Sequence, residues 1–510
     1  MGLQVSEADT KRGLWGSKMG FVLAASGSAI GLGNIVFFGA NAYRYGGGAF
    51  YVPYFVALFL LGIPMMIVEF GLGKTQRRAS PVALRNVSGK KGEFFGWWSQ
   101  VNAVFIAMYY ITILAWAASM ATKAFGPLYE NGKDSVGPVF GATLESWLPA
   151  FMVALLWVLN VWFLSRGAET IEKCAKLFVP MMWVFMIILV LRGVTLGSGL
   201  QGIYYLFTPD FAALSDPAVW RGAFSQMFFS LSLGLGTMIA YASYLPRSAD
   251  IPGNARMVSL LNCSFEYIAG LAIFSILFAF TLYPGSSTGT LGMSLVVIPS
   301  GIAEFPALQT VFAFVFFFLL VIAGLTSSIS IIESPVSAIR DKFGWARGKT
   351  LLLIACIGLP GSIIFALPMV VDQGGTPTQT LGLTLLDLLD HWAFGYSLLV
   401  VGLFEALFVG WVYGIDRLRA ELNETSRIKL GPWFDWLIKL VIPVVLIVVL
   451  GANVLAERSD GLYGTAAPQG PFDGLAWLPG FVLVFWLVTT FGVAAVLCLL
   501  PGREAVEEGG

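Results

Sequence analysis

The stretch Ser28–Gly39, "SAIGLGNIVFFG", decides the fold, because it places two glycines and a primary amide inside a strongly apolar run. Gly31, Gly33 and Asn34 interrupt what would otherwise be a membrane-spanning helix. Free backbone groups are costly in lipid unless they are buried in protein or line a cavity. The stretch therefore predicts a broken helix whose exposed peptide groups form an ion and substrate site.

The composition is typical of an integral membrane protein. Of the 510 residues, 57% are hydrophobic and 12% are charged, against about 45–50% and about 25% in soluble proteins. The net charge is zero, which gives no basic surface for nucleic acid. One histidine, His391, and four scattered cysteines argue against a metal centre or a disulfide frame. With no phosphate-binding loop and no base beside a nucleophile, the sequence does not indicate an enzyme.

Twelve apolar segments approach the length of about 20 residues that a helix needs to cross the hydrocarbon core. The alternating ten-residue segments of a membrane barrel are absent. We therefore predict an all-α integral membrane protein with twelve transmembrane helices, numbered here as spans 1 to 12. They are predicted to begin near Leu14, Ala49, Trp97, Trp147, Ala175, Phe224, Met257, Leu308, Leu351, Thr384, Trp433 and Trp477.

The basic residues predict how the chain is oriented. Lysine and arginine concentrate in the N-terminal segment and in the loops after spans 2, 8 and 10. The loop after span 7, "LYPGSSTGTLGMSLVVIPSG", contains none. Because basic loops remain on the cytoplasmic side, we expect both termini in the cytoplasm and the protein in the cell (inner) membrane.

Span 6 repeats the feature that interrupts span 1. Span 1 contains "SAIGLGN" and span 6 contains "SLSLGLG", five spans later. Five is an odd number, so the second copy enters the membrane from the opposite side, as in the inverted repeats of transporters. Glycine also eases helix packing, but two matched positions beside polar residues favour broken helices. Free carbonyls there suit sodium, and half-helix N-termini suit a carboxylate.

Several segments resemble the neurotransmitter:sodium symporter family, particularly its bacterial amino-acid transporter branch. They are "GSAIGLGN", "GGGAFYVPYFVALFLLGIPMMIVEFGLG", "FFSLSLGLG", "AGLTSSIS" and "LLDLLDHW". The resemblance implies the LeuT fold, a 5+5 inverted repeat with discontinuous helices 1 and 6. The implied divisions are a cytoplasmic segment (1–13), two five-helix repeats (14–195 and 196–420), helices 11 and 12 (421–500) and a cytoplasmic tail (501–510).

The resemblance also implies sodium-coupled uptake of a neutral, hydrophobic amino acid by alternating access, with no organic cofactor, and is compatible with a homodimer. The first Na⁺ site would use the Ala29 carbonyl, Asn34, Ser230, Asn262 and the substrate carboxylate. The second would use the carbonyls of Gly27, Ile30 and Ala323 and the hydroxyls of Thr326 and Ser327. The substrate pocket would comprise Ala29, Gly31, Leu32, Gly33, Ile106, Tyr110, Phe229, Ser230, Ser232, Leu235, Ser328 and Ile331.

Two of these positions bear on the substrate. Tyr110 would hydrogen-bond the substrate carboxylate. Gly31 occupies the position where monoamine carriers have Asp, so by resemblance the substrate brings its own carboxylate, as an amino acid does. The predicted lining is otherwise apolar, which suits a neutral side chain.

Glu266 is a carboxylate within span 7, one turn after Asn262. An acid inside a membrane span is expensive and is functional by default. In the family, chloride-dependent members carry Ser there, with neighbours that correspond to Tyr54, Gln226 and Ser230. The resemblance therefore implies that Glu266 substitutes for chloride. It allows proton counter-movement if Glu266 titrates, and the alternative is a permanently neutral, hydrogen-bonded Glu266.

The cytoplasmic gate fits the family pattern, whereas the extracellular gate departs from it. Arg12, Trp15, Tyr244 and Asp341 match the cytoplasmic gate. At the extracellular gate, Phe37 replaces the usual Arg, so Asp390 loses its expected partner and either pairs elsewhere or is solvated. This departure keeps two alternatives open. One is a carrier of a betaine-like or other non-standard carboxylate, and the other is a ligand-binding sensor with little transport.

Overall fold

The computed structural model describes residues 14–126, 128, 132–282, 290–367, 381–460, 462 and 477–503, with the side chains of residues 36, 37, 290, 381–384 and 460 excepted. Arg12 and the side chain of Phe37 therefore lie outside the described residues. The described part is helical and contains no strand. The spans are Lys18–Ala29 with Leu32–Arg44, Gly47–Gln76, Ser80–Lys123, Leu148–Leu164, Ala168–Val194, Pro217–Ser230 with Thr237–Ala242, Ile251–Ala279, Gln309–Phe343, Arg347–Ala366, Leu381–Ala393 with Ser397–Leu407, Trp433–Ser459 and Leu478–Leu499.

The number of helices that could cross a membrane depends on how the bent ones are counted. Within the described residues, nine helices are long and apolar enough, and eleven spans result if each of two bent pairs counts as one. Span 6 is absent from that count because its halves, Pro217–Ser230 and Thr237–Ala242, are separated by residues 231–236. Shorter helices such as Val136–Leu144 and Gly199–Phe207 connect the spans.

Four predicted helix starts are wrong, and all four helices begin earlier. Span 6 starts at Pro217 instead of near Phe224, and span 7 starts at Ile251 instead of near Met257. Span 3 starts at Ser80 instead of near Trp97, with a kink at Ser88 and Gly89, where Gly89 has a φ of 66°. Pro81 lies in the first turn of span 3. Proline is well tolerated there, because its missing N–H would have no intrahelical partner. Span 5 starts at Ala168 instead of near Ala175. In spans 3 and 5 a polar segment that resembled a loop continues the helix outside the apolar stretch.

Span 1 breaks where the glycines predict it. The first half-helix ends at Ala29, and Ile30 leaves the helical region with a ψ of 88°. Gly31 is extended, and its N–H donates to Asn34 Oδ1 at 2.9 Å, which caps the second half-helix from Leu32 onward. Such a cap satisfies one of the backbone donors that a helix N-terminus leaves unpaired.

Span 6 breaks through residues with left-handed backbone angles. Ser232, Gly234 and Gly236 have φ values of 53°, 77° and 67°. Side chains from neighbouring spans then satisfy the freed peptide groups. Gly234 N–H donates to Glu69 Oε1 at 2.8 Å, and the Gly234 carbonyl accepts from Ser99 Oγ at 3.0 Å. This is the condition under which irregular backbone is tolerated at membrane depth.

The packing of the spans brings the two breaks together. Span 8 packs along span 3, and span 7 packs against span 5 and both halves of span 1. The two halves of span 6 pack against span 2. Spans 1 and 6 are thereby held between the long spans 3, 7 and 8, and their breaks face each other.

Candidate ion and substrate site

The breaks of spans 1 and 6 face a common cavity, named here the central cavity. It measures about 60 Å³. Most of the predicted pocket residues line it, namely Ala29, Gly31, Leu32, Gly33, Ile106, Tyr110, Phe229, Ser232, Leu235 and Ile331.

Two predicted pocket residues do not line the central cavity. Ser230 is buried with a pair of asparagines at the edge of the cavity. Ser328 Oγ donates to Asn160 Oδ1 at 2.9 Å and to the Leu325 carbonyl at 3.0 Å. Ser328 therefore faces span 4 and serves helix packing. The central cavity is also lined by residues that were not predicted to belong to the substrate pocket, including Tyr109, Leu291, Ser294, Leu320, Asp390 and Phe394.

The two glycines of span 1 allow side chains to approach the backbone closely. A Cβ on Gly31 would lie 2.7 Å from the Tyr110 hydroxyl, and one on Gly33 would lie 2.1 Å from the Phe229 ring. Tyr110 Oη accepts a hydrogen bond from Leu32 N–H at 3.1 Å. The positive end of the second half-helix thus meets a phenol at the cavity wall. Backbone donors and a helix dipole together favour an anion at such a position.

Three buried polar side chains meet beside the central cavity, at the first predicted sodium site. Asn34 Nδ2 donates to Asn262 Oδ1 at 2.7 Å and to Ser230 Oγ at 3.3 Å. Asn262 Nδ2 also bonds to Ser230 Oγ. All three residues are at most 1% exposed. The cluster therefore concentrates neutral oxygen ligands from spans 1, 6 and 7, and hard cations prefer oxygen ligands.

The residues of the second predicted sodium site are brought together by spans 1 and 8. Ser327 Oγ donates to the Ser28 carbonyl at 2.9 Å and lies 3.5 Å from the Gly27 carbonyl. Thr326 Oγ1 donates to the Ala323 carbonyl at 2.8 Å, and the Thr326 Cβ lies 3.5 Å from the position of a Cβ on Gly27. Ile30 lies at the break itself, as the C-cap of the first half-helix. No cluster of histidine, cysteine or acidic side chains that could hold a metal ion occurs in the described residues, so both sites rest on neutral oxygens.

Glu266 is fully buried and engaged by neutral donors. Tyr54 Oη donates to Glu266 Oε2, and Gln226 Nε2 donates to Glu266 Oε1 at 3.3 Å. Ser230 also hydrogen-bonds Glu266. The acid therefore touches the same serine as Asn34 and Asn262. A negative charge at Glu266 would act directly on a cation in the first site.

Trp15 and Tyr244, two of the residues predicted for the cytoplasmic gate, belong to one hydrogen-bonded network. Trp15 Nε1 donates to the Tyr241 carbonyl at 2.8 Å, and Trp15 N–H donates to the Tyr244 carbonyl at 3.3 Å. Tyr244 Oη donates to Glu333 Oε1 at 2.7 Å, and Arg347 pairs with the same carboxylate. Asp341 Oδ2 accepts from Ala79 N–H at 2.6 Å.

The Glu333–Arg347 pair and Asn160 were missed from the sequence. Glu333 is 0% exposed inside the apolar span 8. An acid within a span was the available signal, since intramembrane carboxylates are rare unless paired or functional. Asn160 sits in the apolar run "LLWVLNVWF" and gave the same kind of signal. The partners of both residues come from other parts of the chain, which a single sequence does not reveal.

Asp390 lines the central cavity. Its carboxylate faces the Tyr109 hydroxyl. It makes no ion pair with any lysine or arginine in the part of the chain that the structure describes. Beside it, Phe229 and Phe394 pack edge to face with ring centroids 4.0 Å apart, and both rings line the central cavity.

Comparisons with known proteins agree with this geometry. The model of the sodium:neurotransmitter symporter family matches residues 12–129 and 141–496. The chain belongs to this family. An uncharacterised sodium-dependent transporter of Methanocaldococcus jannaschii, MJ1319, is 38% identical over 475 residues, which are 88% of this chain and 93% of the relative. An uncharacterised sodium-dependent transporter of Bacillus subtilis, YhdH, is 30% identical, covering 85% of this chain and 96% of the relative.

A solved structure extends the comparison to the fold. The crystal structure of MhsT in complex with L-phenylalanine matches with a TM-score of 0.77 and 31% identity, covering 86% of this chain and 99% of MhsT. The predicted LeuT-like fold is therefore confirmed. The chain is a membrane-embedded member of a family of sodium-dependent transporters, which are not enzymes.

Proposed function

We propose that this transporter carries a neutral amino acid with an apolar side chain, together with Na⁺, into the cell by alternating access. The observation that carries the proposal is the pair of oxygen clusters at the break of span 1, next to a cavity where Gly31 leaves space and Tyr110 meets a helix N-terminus. The substrate carboxylate would complete the first sodium site. Na⁺ and substrate would thereby bind cooperatively.

The cavity wall supports an apolar side chain. Away from the break, it consists mainly of Leu32, Ile106, Leu320, Ile331 and the Phe229 ring. Ligand sites of this kind combine an apolar lining with a few placed polar groups. The relative MhsT was crystallised with L-phenylalanine, which is a substrate of the proposed class.

We further propose two Na⁺ sites and no requirement for chloride. The two sites are the Asn34–Ser230–Asn262 cluster and the group formed by Gly27, Ile30, Ala323, Thr326 and Ser327. Glu266 supplies a fixed negative charge beside Ser230, where a chloride ion would otherwise balance the cation charge. Proton counter-movement follows only if Glu266 takes up a proton during the cycle.

The basic loops and the hydrogen bonds around Trp15 suggest how the protein is oriented and which side of it is closed. We place both termini in the cytoplasm, with repeats 14–195 and 196–420 around the site. In this orientation the bonds that join Trp15, Tyr244, Glu333 and Arg347 close the cytoplasmic side. Release of substrate then requires this network to open.

The test is ligand-dependent stabilisation of the purified protein. A ligand that binds the folded state stabilises it by mass action. Common amino acids are screened for a rise in the unfolding temperature, in Na⁺ and in K⁺. We expect a hydrophobic amino acid to stabilise only in Na⁺, with and without chloride, and Asn34→Ala to abolish the effect. Gly451→Ala, a substitution on an open helix face, is the matched control. No response to any amino acid in Na⁺ would overturn the amino-acid assignment.

Asp390 favours a second candidate, a non-standard carboxylate that also carries a cationic group. Its carboxylate lines the cavity, and no positive side chain among the described residues balances it. A betaine-like or guanidino acid could place its carboxylate at span 1 and its cation near Asp390. Stabilisation by such a compound that exceeds that of hydrophobic amino acids, and that is lost in Asp390→Asn, would select this candidate.

A further inference from the structure

An apolar groove lies between the first half of span 6, Pro217–Ser230, and span 11, Trp433–Ser459. It measures about 560 Å³ and is named here the 6–11 groove. Val444 and Val448 on its span 11 side are exposed, so the groove opens onto the surface that faces the bilayer. Its walls include Ala218, Trp220, Phe224, Val444, Val448 and Ala452.

A second cavity, named here the arginine pocket, continues the 6–11 groove toward the end of span 11. It measures about 570 Å³, shares Arg221 and Ala452 with the groove, and also contains Arg458. Within the part of the chain that the structure describes, neither arginine makes an ion pair and no acidic residue lines either cavity. Two cations without a counter-charge therefore stand at one end of an apolar groove.

The length of span 11 places the arginine pocket at a membrane surface. Trp436 is 67% exposed near the other end of the span, and such aromatic rings are typical of the membrane–water interface. From Trp436 to Arg458 a helix rises about 33 Å, and the hydrocarbon core is about 30 Å thick. Arg458 therefore lies at headgroup depth in the opposite leaflet. Trp220, which precedes Arg221 and lines the groove, fits the same depth on span 6.

The two cavities together match a molecule with an apolar chain and an anionic head. Between Val444 and Ala452 the groove follows span 11 for about 12 Å, which accommodates part of an acyl chain. A guanidinium binds phosphate oxygens through paired hydrogen bonds. A second copy of this chain fits less well, because a symmetric contact centred on the groove would set its arginines against the same arginines. The charges therefore favour an anionic phospholipid over another protein.

We propose that the 6–11 groove and the arginine pocket bind one anionic phospholipid, with an acyl chain in the groove and the phosphate on Arg221 and Arg458. In the proposed orientation this lipid belongs to the extracellular leaflet. Its phosphate neutralises two like charges on different spans, and so holds the first half of span 6 against span 11. The same half-helix carries Phe229 to the central cavity, so the lipid stabilises the outer wall of the site. No step of this binding involves the transported solute.

Glu457, the acid next to Arg458 in the sequence, defines the rival role for Arg221. Glu457 Oε1 lies 2.6 Å from His391 Nε2 and accepts from Tyr396 Oη at 3.5 Å. Arg221 acts electrostatically on the same Tyr396 hydroxyl. Glu457 is therefore the group that would compensate Arg221 if no lipid did, and its removal separates the two roles.

The first experiment titrates the purified full-length protein in neutral detergent with dioleoylphosphatidylglycerol and follows the unfolding temperature. Dioleoylphosphatidylcholine has the same chains without net charge, and glycerol 1-phosphate has the anion without the chains. We expect stabilisation by phosphatidylglycerol alone. An arginine at the membrane surface strengthens binding to anionic lipid about fivefold. Arg221→Gln and Arg458→Gln should therefore each raise the half-maximal lipid concentration about fivefold, and the double variant about 25-fold.

The charge-matched control is Arg44→Gln/Lys123→Gln, which removes two cations from the ends of spans 1 and 3. This control and Glu457→Gln should both keep the wild-type lipid concentration. Equal stabilisation by the two phospholipids, or wild-type behaviour of the double arginine variant, would overturn the proposal. If Glu457→Gln abolishes the lipid effect, or if glycerol 1-phosphate stabilises through the two arginines, the occupant is not a lipid and the proposal fails.

The second experiment changes the groove and keeps both arginines. Ala452→Phe places a ring where the 6–11 groove meets the arginine pocket, whereas Gly451→Phe places the same ring on an open helix face. Native mass spectrometry then counts the phosphatidylglycerol molecules that remain bound. We expect the wild type and Gly451→Phe to retain one molecule more than Ala452→Phe. Equal counts in the three proteins would reject the lipid site, as would a dimer that Ala452→Phe dissociates without any change in bound lipid.

Discussion

Gly33→Ala is the substitution whose consequence follows most directly from the structure. Gly33 is in the first turn of the second half-helix of span 1. A Cβ there would lie 2.1 Å from Cε1 of Phe229, 2.9 Å from Cδ1 and 3.1 Å from Cζ. Ordinary carbon contacts are about 3.5–4.0 Å. The ring must therefore move by more than about 1 Å, or the half-helix must shift away from span 6.

The loss of stability in Gly33→Ala depends on where the Phe229 ring can move. Overpacking by one methyl group costs about 1–3 kcal/mol where the surroundings are rigid. The Phe229 ring lines the central cavity, so part of this strain can relax if the ring moves into that cavity. That cavity measures only about 60 Å³, and a displaced ring would occupy the space of the substrate side chain. Alanine also favours a helix over glycine by about 1 kcal/mol, which reduces the net loss of stability.

The assay compares two quantities in the purified protein, the unfolding temperature without ligand and its rise with an amino acid in Na⁺. We expect Gly33→Ala to lose the ligand-dependent rise and to keep stabilisation by Na⁺ alone at the second site. Gly451→Ala and Gly492→Ala measure the helix-propensity gain alone, because nothing lies within 4 Å of a Cβ at either position. Both controls should be as stable as the wild type or more so.

A double-mutant cycle isolates the contact itself. In a Phe229→Ala background the clashing atoms are gone, so the destabilisation by Gly33→Ala should fall close to zero. Coupling energies between contacting residues are about 0.5–3 kcal/mol. If Gly33→Ala bound substrate like the wild type, or if its effect were the same with and without the Phe229 ring, the inferred close approach of spans 1 and 6 would be refuted.

Three further predictions concern the ion sites and the cytoplasmic network. Thr326→Val removes a hydroxyl while it preserves shape, so it should weaken the Na⁺ dependence of uptake with little loss of stability, measured as the Na⁺ concentration for half-maximal uptake. Glu266→Ser should make uptake require chloride, and an equal rate in chloride and gluconate would contradict a charge-substituting role. Arg347→Gln leaves the Glu333 carboxylate buried without its cation and should destabilise the protein by about 3–5 kcal/mol, whereas Lys349→Gln, an exposed neighbour, should be near neutral in the same unfolding assay.

The sequence predicted the break in span 1 because it depends on local chemistry. Two glycines and an amide in an apolar run favour a break over simple helix packing once the same pattern recurs in span 6. The assignment of Asn262 and Thr326 to the two sodium sites came from the resemblance, since the span 1 residues that they approach, Asn34 and Gly27, are more than two hundred residues away. The starts of spans 3 and 5 were misplaced because hydropathy marks the lipid boundary, whereas the helices Ser80–Lys123 and Ala168–Val194 continue past it.

The role of Ser328 shows a different limit of the sequence. It is adjacent to Ser327 and has the same chemistry, yet successive residues on a helix point in directions about 100° apart. Ser327 reaches the Ser28 carbonyl, whereas Ser328 reaches Asn160 on span 4. Which of two neighbouring hydroxyls faces the cavity depends on the rotation of span 8. That rotation is set by packing against spans 3 and 5, which a local pattern does not encode.

The first sodium cluster links the ion to the shape of span 1 through one side chain. Asn34 Oδ1 accepts from Gly31 N–H and so caps the second half-helix, while Asn34 Nδ2 holds Ser230 and Asn262. A cation in this cluster needs oxygen atoms, and Asn34 Oδ1 is the side-chain oxygen that span 1 contributes to the Asn34–Ser230–Asn262 cluster. Binding of Na⁺ must therefore share or replace the bond that caps the half-helix next to the substrate carboxylate position. The geometry of the break and the occupancy of the ion site are consequently not independent, which is the physical basis that we propose for coupling Na⁺ to the substrate.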